Sequence, residues 1–112
     1  MFIVNPKTSL IHITRGDSGT LSVELKDADG QIYVPQLGDR IIFRVANSSG
    51  TILLAKEGDI DNDSILITFL PEDTKDIQAG QYHYEVELVT DTDEHYTVIE
   101  YSIFEIGREI EK

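Results

Sequence analysis

The sequence contains no cysteine and no tryptophan among its 112 residues, and its unbroken apolar runs stop at four residues. Without cysteine, neither a disulfide bond nor a thiolate metal site can form, so stability has to come from packing. Apolar runs this short do not predict a membrane-spanning helix. The beginning, MFIVNPKTSL, also lacks the basic region and long apolar core of an export signal, so we expect synthesis in the cytoplasm.

Positive charge is scarce as well. Nine Lys and Arg residues face 21 Asp and Glu residues, which gives a formal net charge of −12. That charge repels phosphate backbones and anionic membrane surfaces. Aromatic side chains that could stack on bases are present, but the basic groove that accompanies them in nucleic-acid-binding proteins is missing. We therefore expect no nucleic acid and no membrane among the partners.

The residues that are present alternate between apolar and polar along most of the chain, which is the period of half-buried β-strands. Turn-forming residues interrupt this alternation at intervals of roughly 8 to 12 residues, as in all-β folds. Seven candidate strands result, at residues 9–14, 20–27, 40–47, 51–58, 64–70, 81–90 and 95–106. No linker or repeat divides them. We predict that residues 1–112 form one domain, an immunoglobulin-like antiparallel β-sandwich of about seven strands, with a small barrel as the second possibility.

The clearest strand is TLSVELKD, in which Leu21, Val23 and Leu25 are predicted to face the core. The following DADGQIYVPQLGDR is rich in turn-forming residues and is predicted to be a loop. PEDTKDI predicts a single helical turn that begins at Pro71 and serves as a connector.

Two patterns near the end of the chain refine the prediction. Gly80-Gln81-Tyr82 resembles a tyrosine corner, in which the tyrosine hydroxyl ties the strand to the preceding loop. In HYTVIEYSIFEI the apolar positions change parity near Val98 and Ile99, which predicts a β-bulge in the last strand.

Two segments are apolar on both faces, Thr51 to Gly58 and Ser64 to Leu70. We predict that they form a strand pair joined by an acidic connection from Asp59 to Asp63. An apolar strand that is not covered on both sides is a candidate interaction surface. The two segments are therefore the candidates for contact with another chain, either through a sheet face or through an exposed edge.

No catalytic residues can be assembled from the sequence. There is no cysteine nucleophile, and the three histidines, His12, His83 and His95, each lie in or beside an alternating strand. They form neither a Ser-His-Asp order nor an i, i+4 helical pair, and we interpret them as surface residues. No glycine-rich loop opens a helix, and a domain with short loops has little room for a substrate cleft. We predict that the protein is not an enzyme and uses no cofactor.

The acidic turns are the nearest approach to a metal site. Asp59, Asp61 and Asp63 imitate the first half of a calcium loop, but its sixth position is Ser64 where glycine is needed, and its twelfth is Leu70 where a bidentate Glu is needed. We interpret this segment as a solvated turn. The same interpretation applies to Asp91, Asp93 and Glu94, and no metal is predicted.

HITRGDSGTL contains Arg15-Gly16-Asp17-Ser18, the tetrapeptide that integrins recognise. Adhesion requires a mobile loop tip that exposes both charged side chains. Here the tetrapeptide joins two apolar-patterned segments, where Gly16 permits a tight turn and Asp17 or Ser18 can accept hydrogen bonds from nearby amides. We predict a structural turn, with integrin adhesion as the alternative.

The order RGDSGTLSVELKDADGQIYV, GDRIIFRV, PEDTKDIQAGQYHYEVEL and YTVIEYSIFEI resembles the amino-terminal domain of the baseplate upper proteins in tail organelles of phages and prophages of Gram-positive bacteria. The resemblance covers about residues 13 to 106. In that family Arg15, Gly16 and Asp17 would belong to the signature of the fold. The family members continue into fibre-like segments, whereas this sequence stops at Lys112, so it is interpreted either as a small tail protein or as a truncated domain.

The resemblance implies a non-enzymatic virion protein of a phage tail, made in the cytoplasm of a bacterial host. Its partners would be other tail or baseplate proteins and copies of itself, and no interface residue can be transferred from the family to this sequence. The alternative is an immunoglobulin-like module of a bacterial surface that binds carbohydrate or protein. Glycan binding would require a row of exposed aromatic side chains on one face, for which the candidates are Tyr33, Tyr84, Tyr96 and Tyr101.

Overall fold

Two β-sheets pack face to face in the structure, a computed structural model that describes residues 2–4, 9–25, 29–61 and 64–109. The elements are β1 (Phe2–Val4), β2 (Ile11–Thr14), β3 (Gly19–Val23), β4 (Arg40–Ala46), β5 (Ile52–Glu57), β6 (Asp59–Asp61), β7 (Ser64–Phe69), α1 (Pro71–Lys75), β8 (Gly80–Val89) and β9 (His95–Gly107). The predicted all-β sandwich is confirmed, and β1 and β6 are strands that the prediction lacked. Among the described residues, no helix has the length and apolar character that crossing a membrane requires.

The two sheets differ in size. The larger has six strands in the order β1-β2-β9-β8-β4-β5, and the smaller has three in the order β3-β7-β6. Neighbouring strands are antiparallel, except that β2 pairs in parallel with β9. The long strands β4, β8 and β9 therefore lie inside the larger sheet, and β5 forms one of its edges.

Strand alternation determines which side chains lie between the sheets. Leu21, Val23 and Leu25 are all buried, as predicted. The core consists of Ile11, Ile13, Leu21, Val23, Leu25, Ile41, Phe43, Val45, Ile65, Ile67, Phe69, Tyr84, Val86, Leu88, Phe104 and Ile106. At its centre the ring of Phe43 lies 5.1 Å from that of Phe69 and 5.2 Å from that of Tyr84, within the range that aromatic pairs favour.

The predicted bulge in the last strand is confirmed. Along the β8–β9 ladder, Tyr84 is opposite Ser102, but Val86 is opposite Ile99, so β9 has an extra residue between these pairs. A second shift follows at once between Val86 and Glu87. The two irregularities turn Ile99 toward the core and account for the change of parity in the sequence.

The predicted helical turn and tyrosine corner are also present. α1 begins at Pro71, where the missing N–H of proline is not needed for a hydrogen bond. The Asp73 carboxylate accepts a hydrogen bond of 2.7 Å from the backbone N–H of Leu70, which fixes the start of the helix. The Tyr82 hydroxyl donates to the backbone carbonyl of Gln78, and this bond ties β8 to the connector as a tyrosine corner does.

The predicted pairing of residues 51–58 with 64–70 is wrong. β5 pairs with β4 in the larger sheet, whereas β7 lies between β3 and β6 in the smaller one. The chain passes between the sheets at Gly58, where an added Cβ would lie 3.3 Å from the Cβ of Ile41. Because both segments are apolar on both faces, alternation carried no information about their partners.

The predicted acidic connection from Asp59 to Asp63 is wrong in its first half. Asp59–Asp61 is the strand β6, which pairs with β7 in register Asp59 to Leu66. The missed signal is weak, since a three-residue strand with two aspartates has no strand propensity of its own and forms because β7 offers a partner. Residue 63 lies outside the described residues, and nothing is described of the Ser64 side chain.

Candidate functional site

The Arg-Gly-Asp sequence forms the predicted turn, directly after β2. The backbone N–H of Asp17 donates to the carbonyl of Thr14 at 2.9 Å, and Gly16 has a φ of +84°, which the third position of a type II turn requires. The N–H of Gly16 donates to the hydroxyl of Thr74 in α1 at 2.8 Å. Because Thr74 is fully buried, the turn is anchored to the interior of the protein.

The Arg15 side chain is held by an ion pair rather than projecting freely. Its Nε and one terminal nitrogen lie 2.8 Å and 2.7 Å from Oε1 of Glu109. Two N–H groups on one carboxylate orient the guanidinium more firmly than a single contact would. This geometry differs from the mobile display that adhesion requires.

An open cleft of about 510 Å³ lies beside this turn, although the sequence predicted little room for one. Arg15, Gln78, Ala79 and Arg108 line it. Among the described residues, the lining supplies two guanidinium groups and an amide, which can bind an anion.

Two of the three histidines form surface pairs with carboxylates. Nδ1 of His12 lies 2.7 Å from Oε1 of Glu105, and this hydrogen bond lowers the pKa of the Glu105 carboxyl. His95 lies between two acids, with Nδ1 3.1 Å from Glu87 and Nε2 3.2 Å from Asp93. Hydrogen bonds to Glu87 and then to Asp93 raise the pKa of His95. Each pair stabilises the local structure, and neither includes a nucleophile.

The third histidine, His83, stacks on an aromatic ring. Its imidazole lies 4.2 Å from the ring of Tyr101 with the planes 10° apart, on the outer face of the larger sheet. Nδ1 of His83 is covered and makes no hydrogen bond to the residues that the structure describes. His83 therefore lies on the outer face of the sheet, as predicted, although this one ring nitrogen is buried.

The acidic turns do not form a metal site in the part of the chain that the structure describes. Asp59 and Asp61 are exposed on one side of β6. Across residues 2–4, 9–25, 29–61 and 64–109, no group of three or more His, Asp or Glu side chains is placed to hold a metal ion. In the 90–94 turn, Glu94 instead accepts hydrogen bonds from Tyr96 and Thr92, and both lower its pKa.

Two of the four candidate tyrosines, Tyr84 and Tyr33, donate hydrogen bonds within the protein. Tyr84 is buried and its hydroxyl donates to the backbone carbonyl of Ser9; burial raises its pKa to about 12. The Tyr33 hydroxyl donates to Oδ2 of Asp39 at 2.8 Å, and this hydrogen bond raises the pKa of Tyr33. The Tyr84 ring is enclosed in the core, and the Tyr33 ring is partly buried against it.

The two exposed tyrosines do not lie together. Tyr96 is directly opposite Leu88, whose side chain points into the sandwich, whereas Tyr101 stacks on His83, which points out of it. Partners in an antiparallel pair share a face, so Tyr96 and Tyr101 are on opposite faces of the larger sheet. The four tyrosines therefore do not form the aromatic row that glycan binding requires.

β5 combines a free edge with apolar side chains, which fits its candidacy as a contact. Among the described residues, no strand pairs with it on the side away from β4. Ile52 is 55% exposed and Leu53 is exposed as well. The other candidate, β7, is the middle strand of the smaller sheet, so it offers only its outer face, where Leu66 is exposed.

A second exposed apolar feature was not predicted. The Leu37 loop, defined as residues 31–39, contains no charged residue before Asp39. Leu37 at its tip is 98% exposed, Ile32 is 60% exposed and Val34 is 48% exposed. Exposed loops are usually polar, so three exposed aliphatic side chains in one loop make it a candidate contact surface. The signal available from sequence was an uncharged aliphatic set inside a segment that turn residues identify as a loop.

The Leu37 loop is held in one conformation by the buried carboxylate of Asp39. Its Oδ2 accepts hydrogen bonds of 2.8 Å from the Tyr33 hydroxyl and from the backbone N–H of Gln36. The backbone N–H of Asp39 donates back to the Gln36 carbonyl at 3.0 Å, and Gly38 takes a φ of +93° in the turn. These bonds fix the position of Leu37 between them.

Acidic groups lie beside the tip of the Leu37 loop. The 90–94 turn packs against the loop, since a Cβ on Gly38 would lie 2.5 Å from the Cβ of Asp91. Asp91, Asp93 and Glu94 in that turn are all exposed. The surface at this end of the sandwich is therefore an apolar tip with an acidic rim.

The chain matches no protein-family model, no curated protein and no solved structure. Function is therefore inferred from the surfaces described above together with the sequence resemblance.

Proposed function

We propose that this protein is a non-enzymatic structural subunit of a phage tail or baseplate, which acts by docking to other tail proteins. The observation that carries the proposal is the Leu37 loop. A subunit that worked alone would gain nothing from three exposed aliphatic side chains on a fixed loop, since they lower its solubility. A subunit that is built into an assembly would bury them in the next protein.

The way in which the loop is held supports docking. Ordering a loop on binding costs free energy that subtracts from affinity, and a loop already fixed by its own hydrogen bonds avoids most of that cost. Burial of Leu37 alone would contribute roughly 1.5–3 kcal/mol. The partner that fits is an apolar pocket with basic residues around it, because the rim formed by Asp91, Asp93 and Glu94 attracts positive charge.

We also propose that the sandwich is immunoglobulin-like, as the sequence suggested. In that fold a sheet with central strands G, F and C faces a sheet in which B, E and D are adjacent. The order β9-β8-β4 corresponds to G, F and C, and β3-β7-β6 to B, E and D. The hydrogen bond from Tyr82 at the start of β8 occupies the place of the tyrosine corner in this correspondence.

The partners and location proposed follow from the same assignment. The partners are other phage tail or baseplate proteins and copies of this chain, and the destination is the virion after synthesis in the bacterial cytoplasm. The net charge of −12 supports the absence of nucleic acid and membrane from this set and keeps free subunits soluble before assembly.

The alternative is an immunoglobulin-like binding module of a bacterial surface. Its carbohydrate form is less well supported, because Tyr84 is buried, Tyr33 is partly buried, and Tyr96 and Tyr101 lie on opposite faces. Its protein-binding form would use the same Leu37 loop. The two proposals differ in where the protein is found, in particles or on the cell.

The test is complementation in a phage or prophage that carries the gene. Deletion should abolish infectious tailed particles, and the wild-type gene should restore them. Leu37→Asp should fold normally, because the side chain contacts solvent, but should fail to restore particles. Ile3→Asp, at an exposed isoleucine of β1, is the matched control and should restore them.

Two results would overturn parts of this proposal separately. Normal particles after deletion would remove the assignment to the tail. Full restoration by Leu37→Asp, with particles lost only after deletion, would leave the tail assignment in place and move the docking surface elsewhere.

A further inference from the structure

We propose that β5 is a homotypic contact, at which the β5 strands of two copies pair antiparallel around a two-fold axis through Ala55. This surface is different from the Leu37 loop, and the inference does not depend on the tail assignment.

β5 is the longest edge strand in the described structure, in which the other edges are β1, β3 and β6. At the opposite side of the sandwich, Phe2 of β1 packs over β3, since an added Cβ on Gly19 would lie 2.5 Å from the Phe2 ring. β1 and β6 are only three residues long. β5 has six residues. A lysine on an edge strand normally discourages pairing with another chain, but Lys56 is directed at Asp73 of α1, with Nζ 2.5 Å from Oδ2.

Charge favours association at this strand over association elsewhere. The chain as a whole has 21 acidic residues against nine basic ones, so two copies repel each other over most of their surfaces. β4 and β5 together contain Arg40, Arg44 and Lys56 but only one acid, Glu57. Each of these cations is paired with an acid, Arg40 with Glu57, Arg44 with Glu87 and Lys56 with Asp73, so a second copy that approaches along β5 meets charges that are already neutralised.

The faces of the side chains restrict the register. Phe43, which is buried, is opposite Lys56, and Arg44 is opposite Ala55, so Lys56 and Leu54 point inward while Ala55 points outward. In a regular antiparallel pair, residues on the same face stand opposite each other. A two-fold axis must therefore pass through a residue rather than between two residues.

Only one such centre avoids both repulsion and the irregular end of β5. Centres at Lys56 or Glu57 would put like charges directly opposite each other, which is destabilising. A centre at Leu54 would run at once into the bulge at Leu53, where the β4–β5 register shifts. A centre at Ala55 sets Leu54 of each copy against the aliphatic stem of Lys56 in the other.

The small side chain of Ala55 also lets the two backbones approach without obstruction on the outer face. Pairing over so few residues buries less than a stable interface normally requires, which is roughly 1,200 Å². Association through β5 alone is therefore expected to be weak in dilute solution and to strengthen at high protein concentration.

Because the sequence contains no cysteine, an introduced cysteine can be crosslinked without competition from another thiol of the chain. Ala55→Cys introduces the only thiol, and opposite residues of an antiparallel pair have Cα atoms about 4.5–5.5 Å apart, within the range of a disulfide. Under mild oxidation, Ala55→Cys should form a covalent dimer roughly tenfold or more faster than a control thiol, because pairing raises the local thiol concentration toward millimolar. Thr68→Cys, on an exposed position of β7, is the control.

A second variant keeps the test independent of thiol reactivity. The mass of the wild-type protein by sedimentation should rise with concentration, and Ala55→Asp, which opposes two carboxylates at the axis, should remain monomeric with an unchanged circular dichroism spectrum. Equal crosslinking rates for the two cysteine variants, or a wild-type mass that stays monomeric at millimolar concentration, would overturn the inference. Either result would leave the function proposed for the Leu37 loop untouched.

Discussion

The backbone N–H of Gly16 donates a hydrogen bond of 2.8 Å to the hydroxyl of Thr74, and this bond joins the turn after β2 to α1. It connects residues that are 58 positions apart, at a point where the Thr74 side chain is fully buried. The Arg-Gly-Asp turn, which joins β2 to β3, is therefore held to the connector between β7 and β8.

Replacement of Thr74 by valine should destabilise the fold. Valine keeps the shape but leaves the Gly16 N–H without its acceptor, and an unsatisfied buried donor costs about 1–3 kcal/mol. Thr74→Ser retains the hydroxyl and should recover most of the loss. Urea unfolding of the three proteins measures the difference, and equal stability of the valine and wild-type proteins would show that the bond is not important.

The adhesion alternative gives a separate prediction. Because Arg15 is paired with Glu109 and Gly16 is bonded to Thr74, the immobilised protein should not support integrin-dependent cell attachment. Attachment that a free Arg-Gly-Asp peptide blocks, and that Asp17→Glu removes, would contradict this prediction.

Tyr84 predicts a loss of stability at alkaline pH. Burial raises its folded-state pKa from 10.0 to about 12, so the neutral form is favoured in the fold. The stability that this provides is complete below pH 10 and is lost as the pH rises toward 12. Tyr84→Phe should lower stability at neutral pH, because the Ser9 carbonyl loses its donor, but should remove this alkaline loss.

The measurement is the denaturant midpoint of the wild-type and Tyr84→Phe proteins between about pH 9 and 12. This range covers the pKa of tyrosine in the unfolded chain, 10.0, and that of Tyr84 in the fold, about 12. Tyr82→Phe is the control, since the Tyr82 ring is only partly buried. Parallel curves for the wild-type and Tyr84→Phe proteins would contradict the prediction.

His95 and Glu87 should titrate as linked groups. The pKa of His95 is raised by its hydrogen bonds to Glu87 and Asp93, so its contribution to stability is complete below pH 6.5 and is lost as the pH rises through the folded-state pKa. The pKa of Glu87 is lowered, first by the hydrogen bond from His95, so its contribution is present above pH 4.5 and is lost as the pH falls.

Nuclear magnetic resonance titration of the His95 ring protons tests this linkage. Glu87→Gln should lower the pKa of His95, and Glu85→Gln, a neighbouring carboxylate on β8, should leave it nearly unchanged. A His95 pKa that responds equally to both variants would indicate general charge effects rather than the specific pair.

The parts of the fold that were predictable from sequence are those that depend on local alternation. The inward positions of Leu21, Val23 and Leu25 follow from the period of a strand, and the parity change near Ile99 revealed a bulge. These features need no knowledge of the neighbouring strand.

The features that sequence reasoning missed depend on which strands meet. β5 and β7 are apolar on both faces, and their places in different sheets were fixed by the crossing at Gly58 and by competition among partners. β6 exists only because β7 is beside it. The Leu37 loop was recognised as a loop, but its order depends on the buried carboxylate of Asp39, which the sequence does not identify as buried.

The composition of purified particles tests the central claim most directly. If the protein is a structural subunit of a phage tail, quantitative mass spectrometry of particles released from a host that carries the gene should find it in several copies per particle, co-purifying with tail proteins through density gradients. Its absence from particles, together with its recovery on the surface of the host cell, would contradict the account.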